Sequence, residues 1–385
     1  MLDRMNAALL ASRPSAIREF SRLAAQTPGC VRLTLGEPDF DTPAPISARV
    51  EEALAAGETH YIENNGAAAL REKIAAFERE HSGLCYSPEE VIVTAGATEA
   101  LFVALFGILN PGDEVIVPVP GFVLYERIVG LCRGVFVPLD TEKSGFQIRR
   151  EDLLPLITPR TKAIVLNSPN NPTGCVLDEA SLEAVRAAVS GREIFVICDD
   201  VYRQLVYEGE CHSFAENQDL RAQIIAVQSF SKPYAMTGWR MGYLLADRPV
   251  RDRLALAHQF MVTSTPAPFQ RACLAALDWD PRAMVAEYKA RRDNVLARLA
   301  NMGLEAPRPR GAFYVFPSIV RFGLDSTQFC VRLLREAALA VTPGAAFGAD
   351  GRVRVSYCCR MESLEEGLNR LERFIHALEG EQYGR

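Results

Sequence analysis

From about residue 88 onward short continuous apolar runs alternate with helical patterns, without an internal sequence repeat. "EEVIVTAG" leads into "TEALFVALFGIL", and "DEVIVPVP" leads into "GFVLYERIVGL". "TKAIVLNSPN", "SLEAVRAAV", "EIFVICDD" and "AQIIAVQSF" continue the series. Strands that are apolar at successive positions need cover on both faces, and helices between them supply it. The pattern predicts an α/β architecture built on a mostly parallel sheet.

Toward the C-terminus the texture changes. A long helical pattern starts near Pro281, runs through "AEYKARRDNVLARLANMG" and stops at Gly303. Short strands "AFYVFP" and "GRVRVSY" follow, with helices "STQFCVRLLREAALA" and "SLEEGLNRLERFIHAL". A length of 385 residues is enough for about two or three domains. The division expected is a large domain over residues 45–285 and a smaller α+β domain. The smaller one combines residues 286–385 with the N-terminal segment 1–44 and its helix near 15–26.

Composition narrows the class of protein. Hydrophobic residues make up 49% and charged residues 23%, which allows a sizeable core. The formal charge of −6 argues against a nucleic-acid partner or an acidic membrane, since both need a basic face. The ten cysteines are scattered and form no C-x-x-C pair, which speaks against a disulfide framework or a zinc site and for a reduced, cytoplasmic setting. No run approaches the roughly 18 apolar residues of a membrane span, and the N-terminus offers no signal segment.

Ligands of parallel α/β sheets bind outside the carboxyl ends of the strands, so the residues after each apolar run are the ones to inspect. After "VIV" come Thr94, Gly96, Ala97 and Thr98; after "AIVL" come Asn167 and "SPNNPTG" with Asn171. After "IFVIC" come Asp199, Asp200 and Tyr202, and after "IIAVQ" come Ser229, Ser231 and Lys232, with Arg240 close behind. Taken singly, each has a plain structural reading: a helix start, a turn, a cap, a solvated side chain. Taken together they supply an anion cradle, an acid, a phenol, a lysine and arginines along one sheet edge. A cofactor that bonds covalently to lysine and carries a pyridine nitrogen and a phosphate uses every member of the set; pyridoxal 5′-phosphate (PLP) is such a cofactor.

On the segments "LGEPDFDTP" (35–43), "HYIENNGAAALREKI" (60–74), "VTAGATEALF" (93–102), "NPGDEVIVPVP" (110–120), "NSPNNPTG" (167–174), "CDDVY" (198–202), "SFSKPYAMTGWRMGY" (229–243) and "VRVSY" (353–357), the chain resembles the fold-type I, PLP-dependent aminotransferases of class I/II. The resemblance implies a large domain with a mixed, mostly parallel sheet covered by helices, plus the smaller domain. It makes Lys232 the lysine that joins the cofactor and Asp199 the partner of the pyridine nitrogen. Tyr202 and Asn171 match the pair on the ring's phenolic oxygen. Gly96, Ala97 and Thr98 match the phosphate loop, with Ser229, Ser231 and Arg240 as further phosphate ligands. Phe122 matches the aromatic residue stacked on the ring. Arg354 matches the clamp for the substrate α-carboxylate, with Gly36 and Asn171 nearby, and Ile17 falls in the N-terminal stretch "PSAIREF" that borders the substrate. Tyr61 matches a tyrosine that reaches the phosphate of a neighbouring subunit, which implies a homodimer with shared sites.

The same resemblance implies transfer of an amino group from an amino acid to a 2-oxo acid by ping-pong kinetics. No metal is expected. Thr98 stands where aspartate-preferring members often carry a lysine, and Gly121 and Phe122 beside it leave a neutral pocket. Aromatic or broad-range neutral amino acids are therefore the expected donors, with 2-oxoglutarate as acceptor. Two alternatives stay open: a PLP-dependent lyase that cleaves C–S bonds with the same lysine, and a PLP-binding regulatory protein that docks on a partner.

Overall fold

The computed structural model describes residues 1–11 and 16–383. Seven strands form the central sheet. In spatial order they are Val91–Thr94, Gly242–Ala246, Ile224–Ser229, Phe195–Asp199, Thr161–Asn167, Glu114–Val119 and Val135–Asp140. All neighbours run parallel except Gly242–Ala246, which is antiparallel to both of the strands beside it. The α/β class read from the sequence is what the chain adopts.

Alternation along the strands splits the apolar residues between two faces. Val165, Ile197, Ile225 and Val227 pack with Leu101, Ala104 and Leu105 of helix Ala97–Ile108 and with Tyr125 and Val129 of helix Leu124–Leu131. Ile164, Leu166, Val196, Cys198 and Ala226 face the other way, onto helices Glu179–Val189, Ala68–Ser82 and Ala267–Ala276. The same parity decides where the acids go. Asp199 follows Ile197 on the first face, toward Tyr125, and Asp200 falls on the second.

A second core gathers the C-terminal part. Strands Thr342–Pro343, Val353–Ser356 and Tyr314–Val315 make a small antiparallel sheet. It is packed by helices Arg282–Asn301, Ser326–Ala337 and Met361–Tyr383. Phe20 and Ala24 of helix Ala16–Gln26 join this core, and Val31–Arg32 pairs in parallel with Leu339–Ala340. The helix expected through Ala340 ends sooner. Ala338 takes a left-handed conformation, φ 47°, and Leu339 and Ala340 are drawn into pairing with the N-terminal segment. Tertiary pairing overrides helix propensity there. All ten cysteines are free thiols, and no helix among the described residues is long and apolar enough to cross a membrane.

The antiparallel strand brings one glycine under the start of helix Ala97–Ile108. A Cβ at Gly242 would lie 2.7 Å from the Gln228 carbonyl oxygen, 2.8 Å from the Gly96 carbonyl carbon and 2.9 Å from the Ala97 nitrogen. All three are backbone atoms, which cannot swing aside. Gly242→Ala is expected to cost about 1–3 kcal/mol of stability, read as a lower urea midpoint; an unchanged midpoint would show that the helix start is free to move.

Candidate active site

Strand pairing sets the chemistry along a single edge. Asn167 is paired with Asp199, Asp199 with Val227, and both Ser229 and Thr94 with Gly242. The strand ends carrying the predicted residues therefore lie side by side.

One end of this edge suits an anion. Gly96, with φ 79°, turns the chain into helix Ala97–Ile108, whose first N–H groups have no carbonyl one turn back to bond. These N–H groups and the helix dipole favour negative charge. Glu99, in the first turn, does not occupy that place. One of its oxygens accepts from the Ala95 N–H, and the other lies 2.7 Å from Nδ1 of the fully buried His258. Ser229 and Ser231 are buried alongside, and the Ser231 N–H donates to Ser229 Oγ at 3.0 Å. Arg240 completes the group. It adopts φ 55°, its Nη1 donates to the Thr237 carbonyl at 2.9 Å, and its Nη2 lies where a Cβ on Gly96 would come within 2.6 Å. Only glycine at 96 leaves room for that guanidinium beside the helix start.

Burial acts in opposite directions on the amine and the acid at the centre. Lys232 is half-buried, and its Nζ donates to the Gly36 carbonyl at 2.7 Å. Desolvation lowers its pKa to about 8; Cys358 and Glu37 pull upward, while Arg240 and Arg354 push further down. Asp199 is buried, and desolvation raises its carboxyl to about 6. The Tyr125 hydroxyl, donating at 2.6 Å, the Val201 N–H and the positive charge of Lys232 pull it partly back. Each of these groups waits for an opposite charge.

Asn167 ties the acid to the neighbouring loop. Its Nδ2 donates to the Asp199 carbonyl at 2.9 Å, and its Oδ1 accepts from the Asn171 N–H at 2.9 Å. Asn171 Oδ1 in turn accepts from Arg354 Nη1 at 2.9 Å. Arg354 is buried, with Nη2 donating to the Thr34 carbonyl at 2.6 Å, while its Nε has no hydrogen-bond partner. An orphaned guanidinium N–H costs free energy unless something anionic meets it. The Tyr202 hydroxyl lies 2.9 Å from that of Tyr314. Phe122 is half-buried and its ring is perpendicular to that of Tyr125, centroids 6.0 Å apart at 90°.

The structure thus gathers Gly96, Ala97, Thr98, Ser229, Ser231, Lys232, Arg240, Asp199, Asn171, Tyr202, Arg354 and Gly36 about one edge. Tyr61 is 88% exposed. The Ile17 side chain lies outside the described residues. Tyr125, Thr34 and Tyr314 carry site contacts that their sequence context does not single out. Tyr125 and Tyr314 occupy apolar positions in "VLYERIVG" and "AFYVFP", where a tyrosine reads as core. The faint signal was the hydroxyl itself, since a buried tyrosine needs a partner.

A cradle of N–H groups and hydroxyls, an amine short of its usual proton affinity, a buried acid and a guanidinium with an unused N–H fit a phosphorylated pyridine aldehyde and a carboxylate substrate. Comparison with known proteins leads the same way. The model of the family described as aminotransferase class I and II matches residues 28–371. A probable N-acetyl-LL-diaminopimelate aminotransferase of Bacillus subtilis (strain 168) is 40% identical over 367 residues, 94% of this chain and 93% of that protein. The solved aspartate aminotransferase of Thermus thermophilus with maleate has a TM-score of 0.91 at 39% identity, covering 96% of this chain and 99% of that one. An aromatic aminotransferase from Pyrococcus horikoshii OT3 has a TM-score of 0.89 at 37% identity, over 94% and 99% of the two chains.

The raised Asp199 pKa has a consequence for the cofactor-free protein. A carboxyl that moves from 3.8 to about 6 on folding binds more protons in the folded state between those values. Its stabilising contribution is complete below about pH 4 and is lost as pH rises through 6, by on the order of 3 kcal/mol. Asp200, raised to about 7 chiefly by burial, extends the same decline upward. Urea unfolding from pH 4 to 7 should show this fall. Asp199→Asn should make the fall between pH 4 and 6 shallower, with Asp200 supplying what remains, and leave the part toward 7; an unaltered profile would mean that Asp199 titrates normally.

Proposed function

The chain belongs to the class I and II aminotransferases, a family that depends on pyridoxal 5′-phosphate, and on that footing we propose the roles of its residues and the substrates it takes. It moves the α-amino group of a neutral amino acid, aromatic or across a broad range, to a 2-oxo acid such as 2-oxoglutarate. The observation that carries the assignment of the site is the meeting of Lys232 and Asp199, at the edge of the large sheet, with Arg354 from the small sheet through Asn171, each with its charge or proton altered or unanswered.

When bound, the cofactor supplies an aldehyde that takes up the amino group and a ring that draws electrons from the α-carbon. Lys232 would hold that aldehyde covalently, and a pKa of about 8 leaves a useful fraction of its amine unprotonated near neutrality. With the cofactor and an amino substrate bound, the freed Lys232 Nζ would serve as the base for the α-proton. Asp199, as a carboxylate, would favour the protonated form of the ring nitrogen. Tyr202 and Asn171 would hold the phenolic oxygen, and Phe122 would offer the ring an aromatic neighbour. The helix start at Gly96, Ala97 and Thr98 holds the phosphate with Ser229, Ser231 and Arg240. Arg354 takes the substrate carboxylate through its unpartnered Nε, and its planar fork matches the shape of that group. In this reading residues 45–285 carry the cofactor, and residues 1–44 with 286–385 bring Gly36 and Arg354 to it.

Substrate choice rests on neutrality. Thr98, Gly121 and Phe122 offer no cation for a second carboxylate, and an apolar pocket separates homologous side chains by only about 1–3 kcal/mol per methylene. Overlapping use of several neutral amino acids follows.

The functional unit is a homodimer. Tyr61 and Phe260 are 88% and 84% exposed, and their segments are held together where Asn64 Nδ2 donates to the Thr263 carbonyl and His258 Nε2 lies 2.8 Å from the Asn64 carbonyl. Two large aromatic side chains braced at the surface make a face for a second copy, with Tyr61 reaching the partner's phosphate. Ten unpaired cysteines support a reducing, cytoplasmic home.

Absorbance titration tests the whole reading. The protein loaded with pyridoxal phosphate should be yellow and should lose that colour on addition of a neutral amino acid, recovering it when a 2-oxo acid follows. Lys232→Ala should lose at least about a thousandfold in turnover; activity near that of the unaltered enzyme would refute the assignment. Release of pyruvate and ammonia from cysteine conjugates, with no 2-oxo acid acceptor needed, would instead mark a lyase.

A further inference from the structure

We propose that Tyr314 is a positioning residue that links the two ends of the site, acting on the cofactor through Tyr202 and on the substrate carboxylate through Arg354. This rests on the roles of Tyr202 and Arg354 given above. Tyr314 is 1% exposed and lies in the small sheet next to the strand that bears Arg354. Its hydroxyl is 2.9 Å from that of Tyr202, and the two rings meet edge to face, 5.9 Å apart at 82°. The Arg354 guanidinium sits over its ring, 4.5 Å from the centroid, with Phe347 at 4.8 Å as a second aromatic neighbour. A Cβ on Gly36 would lie 1.9 Å from the Tyr314 hydroxyl oxygen, so residue 36 has to be glycine for the phenol to reach Tyr202. Gly36 is also the residue whose carbonyl receives the Lys232 amine. One phenol therefore touches the holders of cofactor, substrate and lysine.

The proton count fixes the direction of the bond between the two hydroxyls. Each phenol has one proton to donate. If Tyr202 gives its proton to the cofactor's phenolic oxygen, the bond between the two tyrosines requires Tyr314 to donate to Tyr202. A hydroxyl that accepts while it donates is polarised into a stronger donor. Tyr314 thereby strengthens the hold of Tyr202 on negative charge at the ring oxygen. Its ring face acts separately. With Phe347 it holds the guanidinium in one plane, so that Asn171 and Thr34 can fix two nitrogens and leave Nε for a carboxylate.

The two actions separate by substitution in the loaded enzyme. The lysine-linked cofactor loses a proton with a change in its visible absorbance. That loss leaves negative charge on the ring oxygen, so a weaker donor at Tyr202 makes it harder. Tyr314→Phe keeps the ring and removes the donor. The pH midpoint of the absorbance change should rise by about 0.5–1 unit, while KM for the amino acid best used by the unaltered enzyme stays within about twofold. Tyr314→Leu removes both, and should add a rise in KM of about tenfold. In a Tyr202→Phe background, Tyr314→Phe should move the midpoint no further, which ties the effect to the hydroxyl pair and not to general loosening. The proposal is overturned by a Tyr314→Phe midpoint equal to that of the unaltered enzyme, by an equal shift in the Tyr202→Phe background, or by a Tyr314→Leu KM left unchanged. Failure of the underlying site looks different: the unaltered protein would then show no visible band at all.

Discussion

The Asp199 carboxylate is the constraint around which the site is arranged. Taken out of water, an anion is disfavoured unless protein groups replace its hydration. Here the replacement is incomplete: the Tyr125 hydroxyl and the Val201 N–H meet the carboxylate, and the pKa still stands at about 6. The deficit is an invitation to a cation. The sheet presents that carboxylate within electrostatic reach of a lysine whose own charge burial disfavours. A bound group that is positive near 199 and electrophilic near 232 relieves both.

Around this centre the side chains are held by partners that are themselves anchored in strands. Asn167 bonds the Asp199 carbonyl and the Asn171 N–H, and Asn171 holds Arg354. Arg354 lies on a central strand of the small sheet, between Thr342–Pro343 and Tyr314–Val315. A change at any link shifts the Arg354 guanidinium relative to the acid, so the two cores are joined through three named side chains and a short loop.

Much of this is legible in the order of the amino acids alone. The run-then-helix pattern points to an α/β sheet, because continuously apolar strands have no other way to be covered. The polar residues that break each run identify the working edge, because a parallel sheet exposes its ligands where its strands stop. Tyr125 and Tyr314 stay hidden for one shared reason. Both sit in apolar frames, and the sequence does not show which core tyrosine has its hydroxyl aimed at an acid or at another phenol. Asp199 and Asp200 look interchangeable in "CDDVY"; strand parity sends one toward Tyr125 and the other to the opposite face, near Arg203. The early end of the helix at Ala337 is equally hidden, since it depends on pairing with residues about three hundred positions upstream.

The single antiparallel strand has a corollary for anyone who would rebuild this protein. Ser229 and Gly242 are opposite each other on adjacent strands, so the whole return between them, with Lys232 and Arg240 on it, is pinned at both ends to the same rung. The amine and the guanidinium cannot be adjusted one at a time by lengthening or trimming their connection. The segment behaves as an indivisible cassette, to be grafted from Ser229 through Gly242 or left alone.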